Sequence, residues 1–250
     1  MRKFGLIGYP LGHSFSKKYF SDKFVRENIP DCSYENFPLP DLSYFRDLIL
    51  NEKDLSGLNV TIPYKSDIIP FLDSTNTEAS EIGAVNVIKL KRINGNLTLH
   101  GYNSDITGIS DSLSPYITPD LHSAIVLGTG GSSRAVCYVL KKLGISIKQV
   151  SRNRREGIIT YSDITPSMIR EAGLIVNTTP LGMFPNTDGF PGIDYSLLSG
   201  KHVLFDLVYN PEITTFLRKG SEMGCSVIGG LKMLHSQAEK AWEIWNSDSF

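Results

Sequence analysis

The apolar stretch Ser123–Leu127 passes directly into Gly128-Thr129-Gly130-Gly131-Ser132-Ser133-Arg134-Ala135, and a helical pattern follows over Ser133–Leu143. Strand, glycine turn and helix in immediate succession leave few folds open, because the chain must reverse without side-chain bulk. The flanking sequence narrows the choice further. Ile145–Val150, Leu174–Asn177, His202–Asp206 and Ser226–Ile228 read as short strands, with a helix over Thr214–Met223. Such alternation argues for a parallel sheet covered on both faces. In that setting the first glycine makes the tight turn and the second admits a pyrophosphate to the backbone. The third keeps the helix close to the sheet, and the helix N-terminus faces the phosphates. Gly128, Gly130, Gly131, Ser132 and Ser133 are therefore candidate dinucleotide contacts, with Ser133 where a third glycine is usual. A glycine turn alone also occurs in ordinary strand-to-helix connections; the placement between strand and helix carries the reading.

The next strand bears on which dinucleotide fits. An enzyme using NAD places an acid ~20 residues past the loop, on the ribose hydroxyls. Here the chain reads Val150-Ser151-Arg152-Asn153-Arg154-Arg155, and the first acid is Glu156. Guanidinium groups pair with a 2′-phosphate that an acid would repel. A solvated basic loop is the plain alternative, but with the glycine loop upstream the pattern favours NADP.

The first hundred residues mix signals. Arg2–Gly8 and Ser33–Phe37 read as strands, separated by a helix that carries Tyr19, Phe20, Phe24 and Val25. Helices are expected at Leu42–Leu50 and Tyr64–Leu72 and a strand at Leu58–Ile62; Val85–Leu90 and Leu97–Gly101 flank the hairpin signal Asn94-Gly95. A last helix after Gly229-Gly230 puts Leu231, Leu234, Ala238, Ala241 and Trp245 on one face. Two lobes are expected. Lysine plus arginine number 25 and aspartate plus glutamate 26, a net charge of −1, so neither nucleic acid nor an anionic membrane is an expected partner. Cys32, Cys137 and Cys225 are isolated and the five histidines never fall at ligand spacing. No disulfide framework or metal site is expected, and with no apolar span the chain reads as cytoplasmic.

Four segments of the first lobe gather small polar residues: Gly12–Ser16, Gly57–Lys65, Gly83–Val87 and Gly101–Asp105. Strand alternation sets Asn59 and Thr61 on one face and Leu58, Val60 and Ile62 toward a core. Each residue has a bland explanation. Ser14 and Ser16 suit a helix cap, Asn86 a turn, Asp105 an N-cap, and a lone Lys65 is usually a solvated surface lysine.

Taken together, the segments resemble the shikimate dehydrogenase family nearly end to end. The matching motifs are HSxS at His13–Ser16, NVTIPYK at Asn59–Lys65, AVN at Ala84–Asn86 and N-[TS]-D at Asn103–Asp105. The glycine loop at Gly128–Arg134 and NTTPLGM at Asn177–Met183 follow, then Asp206–Pro211, Gly230–Leu234 and Gln237. The resemblance implies reversible, NADPH-dependent reduction of 3-dehydroshikimate to shikimate. It implies a two-domain α/β fold: a mixed substrate-binding domain at 1–104 and 230–250, and a Rossmann-like, doubly wound NADP-binding domain at 105–229. By the same resemblance Lys65 and Asp105 form the catalytic pair, and Ser14 and Ser16 hold the substrate carboxylate. Asn59, Thr61, Asn86, Asp105 and Gln237 hold its ring hydroxyls, with Tyr209 beside the substrate. Asn177, Thr178, Leu207, Gly230 and Met233 surround the nicotinamide, while Arg152 and Asn153 meet the adenosine phosphate. Gln237 is expected to line the same cleft as Ser14 and Lys65.

The chain departs from the family pattern in places. Ser104 replaces the usual threonine, Lys232 occupies a usually small position, and Ser151-Arg152-Asn153 stands where Asn-Arg-Thr is common. The short segment after the Gly230 helix implies a trimmed lobe. Two other readings compete: a quinate/shikimate dehydrogenase using NAD, and a non-catalytic ligand sensor. The first would carry an acid at the ribose, and the second would lack Lys65 or Asp105. A monomer or homodimer acting on a small molecule fits all three.

Overall fold

The computed structural model describes residues 1–11 and 15–247, and they divide into two compact units. One comprises Met1–Ser104 with Ala238–Phe250, the other Asp105–Gln237. The second division thus falls at Ala238, eight residues past the expected 230.

In chain order the first unit contains β1 (Arg2–Gly8), α1 (Phe15–Arg26), β2 (Cys32–Pro38), α2 (Phe45–Asn51), β3 (Leu55–Val60), β4 (Ser74–Thr75), α3 (Thr77–Ile82), β5 (Val87–Ile93) and β6 (Asn96–Tyr102). The sheet runs β2-β1-β3-β5-β6-β4 and is mixed: β2 and β3 lie parallel to β1, while β5 is antiparallel to β3 and β6. Asn94 and Gly95, both at positive φ, turn the β5–β6 hairpin as their sequence indicated. Both faces of the sheet are covered. Leu55, Leu58, Val60, Ile88 and Leu90 pack with Phe45 and Ile49 of α2; Phe4, Leu6 and Tyr34 pack with Phe20 and Phe24 of α1 and with Ala238, Ala241 and Trp245. Trp245 stacks on Phe4 with centroids 4.7 Å apart, and its indole Nε1 donates to the Ile88 carbonyl at 3.1 Å.

Two local expectations fail. Ile62 is 64% exposed rather than a core residue, because the strand stops at Val60 and the chain turns where Tyr64 N–H meets the Thr61 carbonyl. No α-helix covers Tyr64–Leu72; Pro63 and Pro70 withhold two backbone donors, and only a 3-10 turn forms at Ile69–Phe71. Helix α1 carries Tyr19, Phe20, Phe24 and Val25 as expected, with Phe20 and Phe24 buried and Val25 exposed.

The second unit comprises α4 (Asp105–Leu113), β7 (Ser123–Leu127), α5 (Gly131–Lys142), β8 (Ser146–Ser151), β9 (Ile159–Thr160), α6 (Pro166–Glu171), β10 (Leu174–Asn177), β11 (Val203–Asp206), α7 (Thr215–Glu222) and β12 (Ser226–Ile228). Its six strands are all parallel, in the order β12-β11-β10-β7-β8-β9. This is the Rossmann order, with the chain leaving β7 first to one side and later to the other. Ligands of such sheets sit at the carboxyl ends of the strands where the direction reverses, here β7 and β10. Helix α8 (Gly230–Asn246) follows, and the division between the units falls within it.

Candidate active site

The first unit brings several expected substrate residues into one hydrogen-bonded chain. Asn59, on β3, accepts from the Tyr34 hydroxyl at 2.8 Å and donates to the Asn86 carbonyl at 3.3 Å. The Asn86 side chain in turn donates to Ser104 Oγ at 3.0 Å and accepts from Ser104 N–H at 2.6 Å. Ser104 thus keeps the bonding that its hydroxyl promised. Ser16 reaches the other end of the chain, its side chain hydrogen-bonded to Tyr34. Asn86 and Ser104 are buried, which a polar pair tolerates because each satisfies the other. Thr61 and Lys65 are half-buried on the turn after β3, anchored where Val85 N–H donates to the Lys65 carbonyl. Ser14 lies outside the described residues.

Tyr34 was not singled out from sequence. It stands on β2, stacked on Phe20 with centroids 4.7 Å apart and rings 11° from parallel, and burial pushes its hydroxyl pKa up. Nothing in the segment Cys32-Ser33-Tyr34-Glu35 marks it; only the register across β1 shows that it reaches Asn59.

In the second unit the glycine loop is built as its sequence suggested, with one addition. Gly128 has φ +118°, and a Cβ there would stand 2.4 Å from Thr178 Oγ1, so glycine is required where the β7 and β10 loops approach. Thr178 Oγ1 also donates to the Leu127 carbonyl at 2.7 Å, tying the two loops together. Ser133 is fully buried and donates to the Gly128 carbonyl at 2.7 Å. Gln149, on β8, donates to that same carbonyl at 3.0 Å and to Ser133 Oγ at 2.9 Å. Serine at the third position therefore clamps the turn where glycine would only leave room. Gln149 was missed; its place on the face of Ile145 and Ile147, where the alternation of β8 calls for an apolar residue, was the available signal.

Helix α5 begins at Gly131, two residues earlier than expected, with Gly130 as an extended N-cap. Its first-turn N–H groups come from the loop itself, which suits a pyrophosphate. Gly130 is exposed, and a Cβ there would meet nothing within 4 Å, so the fold does not require glycine. What it provides is backbone open to a ligand. Beyond β8, Arg152, Asn153 and Arg155 are exposed, whereas Arg154 is engaged by Asp163 in an ion pair of 2.5 Å. Two arginines, rather than the three counted in sequence, thus stand without a carboxylate partner among the described residues. The loop fits a cofactor carrying an adenosine 2′-phosphate.

Asp105 opens α4, fully buried, and accepts from Ser132 Oγ of α5 at 3.4 Å. At the ends of β10 and β11 a second network forms. Asn177 Nδ2 and Val208 N–H both donate to Asp206 Oδ1 at 3.0 Å, and Thr214 donates to Oδ2 at 2.6 Å. Burial pushes the Asp206 carboxyl up to about 6 despite these three donors, each of which lowers it. Leu207 continues the ladder by donating to the Asn177 carbonyl. Tyr209 follows, its hydroxyl pKa raised by burial. At the start of α8, Gly230 stands so close to Leu207 that a Cβ would lie 2.4 Å from its carbonyl oxygen, and buried Met233 packs on Gly108 of α4. Gln237 is half-buried one turn on. Lys232 faces elsewhere: with Tyr116, Glu212 and His235 it lines a cavity of about 580 Å³.

A glycine loop at the switch point of an all-parallel sheet, in a chain with a separate polar site, defines a nucleotide-dependent enzyme of the Rossmann class. Residues 6–88 match the family model for the shikimate dehydrogenase substrate binding domain. The chain is 37% identical over 259 residues to "Shikimate dehydrogenase (NADP(+))" of Clostridium beijerinckii, covering 98% of this chain and 92% of the relative. Among solved structures, shikimate dehydrogenase 1 of Peptoclostridium difficile is 36% identical with a TM-score of 0.82, covering 100% of this chain and 93% of that one. The Thermus thermophilus enzyme in complex with NADP(H) and shikimate is 30% identical with a TM-score of 0.85, covering 98% of this chain and 94% of that one. The chain belongs to the shikimate dehydrogenase family.

Proposed function

We propose that this chain is an NADP-dependent shikimate dehydrogenase that interconverts 3-dehydroshikimate and shikimate in the cytoplasm, as a monomer or homodimer. The observation that carries the reading is the similarity over nearly the whole length of both chains to enzymes bearing that name. The preference for NADP is supported by Arg152 and Arg155, exposed in a loop whose positions 151–155 hold no acid.

When bound along the glycine loop, NADPH would supply the hydride that the ring ketone needs. The ketone oxygen then needs a proton, and Lys65 is the group that delivers it, or removes it in the oxidative direction. Asp105 is its partner in this assignment. Ser14 and Ser16 hold the carboxylate, and Asn59, Thr61, Asn86 and Gln237 hold the ring hydroxyls, so that one carbon faces the hydride. Such positioning converts an encounter into a reaction within one complex. Tyr209 flanks the substrate. On the cofactor side, Gly128, Gly130, Gly131, Ser132 and Ser133 hold the pyrophosphate, Arg152 and Asn153 the adenosine phosphate. Asn177, Thr178, Leu207, Gly230 and Met233 surround the nicotinamide.

Absorbance at 340 nm, followed with shikimate or quinate and with NADP or NAD, tests the reading. The expected result is turnover with shikimate and NADP well above every other pair. Faster turnover with quinate and NAD favours the quinate/shikimate alternative, and binding without turnover favours the sensor.

A further inference from the structure

Three strands carry a side-chain contact that none of the expected roles includes. Phe4 of β1 is registered with Tyr34 of β2, and Leu6 of β1 with Asn59 of β3. Paired residues and residues two apart share a face, so Tyr34, Phe4, Leu6 and Asn59 all project to the same side. The tyrosine ring therefore lies across β1 and delivers its hydroxyl to Asn59 Oδ1 at 2.8 Å. Packing alone does not explain a tyrosine here. A phenylalanine would keep the stack on Phe20 and the burial, without a polar atom to satisfy.

Taking Asn59 as a substrate ligand, as proposed above, we propose that Tyr34 is a positioning residue that fixes the Asn59 amide so that it offers a ligand an N–H donor rather than a carbonyl acceptor. A free asparagine side chain presents either end by a half-turn about its last bond. With Oδ1 accepting from Tyr34, Nδ2 occupies the opposite corner, where it donates to the Asn86 carbonyl at 3.3 Å and has a second proton left. That proton suits a ring hydroxyl held through its oxygen. The arrangement selects a ligand with an acceptor at this point and disfavours one presenting only a donor.

Tyr34→Phe keeps the ring and removes the hydroxyl, and with it the bonds to Asn59 and to Ser16. One neutral hydrogen bond corresponds to about three- to tenfold in affinity. The Michaelis constant for shikimate is expected to rise by that factor, with kcat within about threefold and the constant for NADP unchanged. In an Asn59→Ala background the same substitution is expected to have a clearly smaller effect, confined to what passes through Ser16, because the amide it orients is gone. Asn59→Asp is the second variant. It keeps an acceptor for Tyr34 but replaces the outward donor, and a rise of about tenfold or more in the shikimate constant is expected. An unchanged constant in Tyr34→Phe, an equal effect in the Asn59→Ala background, or an unchanged constant in Asn59→Asp overturns the proposal. Should the wild-type chain fail to oxidise shikimate, the assigned activity fails and not the orientation of Asn59. The same double-mutant cycle read in thermal unfolding then decides whether Tyr34 and Asn59 are coupled.

Discussion

Asp206 should give this protein a pH dependence of stability opposite to that of an ordinary aspartate. Its carboxyl is buried beneath the ends of β10 and β11, and its pKa is moved from the ordinary 3.8 to about 6. The folded state therefore binds more protons than the unfolded state between those values, so stability falls as pH rises through the interval and levels off above it. At about 1.4 kcal/mol per tenfold, the full cost of holding the ionised carboxylate is about 3 kcal/mol, most of it incurred between pH 4 and 7. Asp206→Asn removes the titration and keeps the shape. Its Oδ1 can still accept from Asn177 and Val208, and its amide can face Thr214. Urea unfolding of both proteins from pH 4 to 8 isolates the effect, because every other titrating group is common to the two. The stability of the variant relative to wild type should improve by about 2–3 kcal/mol across that range. A difference that stays flat would mean that the three donors fully offset burial, and the reasoning would be refuted.

Three further outcomes are expected. Lys65→Ala should lower kcat by ~10²–10⁴-fold with a smaller change in shikimate binding, since proton transfer matters in the transition state; an unchanged kcat with a raised Michaelis constant would make Lys65 a binding residue. Arg152→Ala should weaken NADP roughly tenfold, leave NAD nearly unaffected and lose its effect in high salt, because an exposed guanidinium is screened; equal losses for both cofactors in binding titrations would assign it to loop support. Trp245→Ala should destabilise the first unit by about 3–5 kcal/mol, as for other large-to-small changes in cores. The side chain is 4% exposed and bonds Ile88, so a melting temperature equal to wild type would contradict this packing.

The second unit was legible from its sequence to within a residue or two at most strands, because fully buried parallel strands are apolar runs bounded by glycine and polar turns. The first unit was less so. Leu58, Val60 and Asn59 alternate as expected, yet Ile62 continues the apolar alternation beyond the point where backbone pairing ends. Alternation reports which way a side chain would point in a strand, not where the strand stops. The short helix α3 was also missed, although Asn76 caps it by accepting from Ala79 N–H; six residues give too little period to see. At the candidate site, motif residues such as Asn59, Asn177 and Asp206 were visible, whereas the contacts that join them to their supports were not. Tyr34, Gln149 and Asp206 act on partners 25, 21 and 29 residues away. Only strand register brings such pairs together.

The place of Trp245 in the first core also dictates an order of assembly during synthesis. Phe4, Phe20 and Tyr34 leave the ribosome early, but the surface that covers them arrives with Ala238, Ala241 and Trp245. At ~5–20 residues per second the intervening chain takes on the order of ten seconds to make. During that interval Asp105–Gln237, which is continuous in sequence, has every strand of its sheet available. The nucleotide unit is thus the one that can fold as it emerges, while the first hundred residues wait with an aromatic face open to solvent. For a nascent chain of this design, the vulnerable interval for aggregation and chaperone capture belongs to its beginning, and it ends only when the last helix is made.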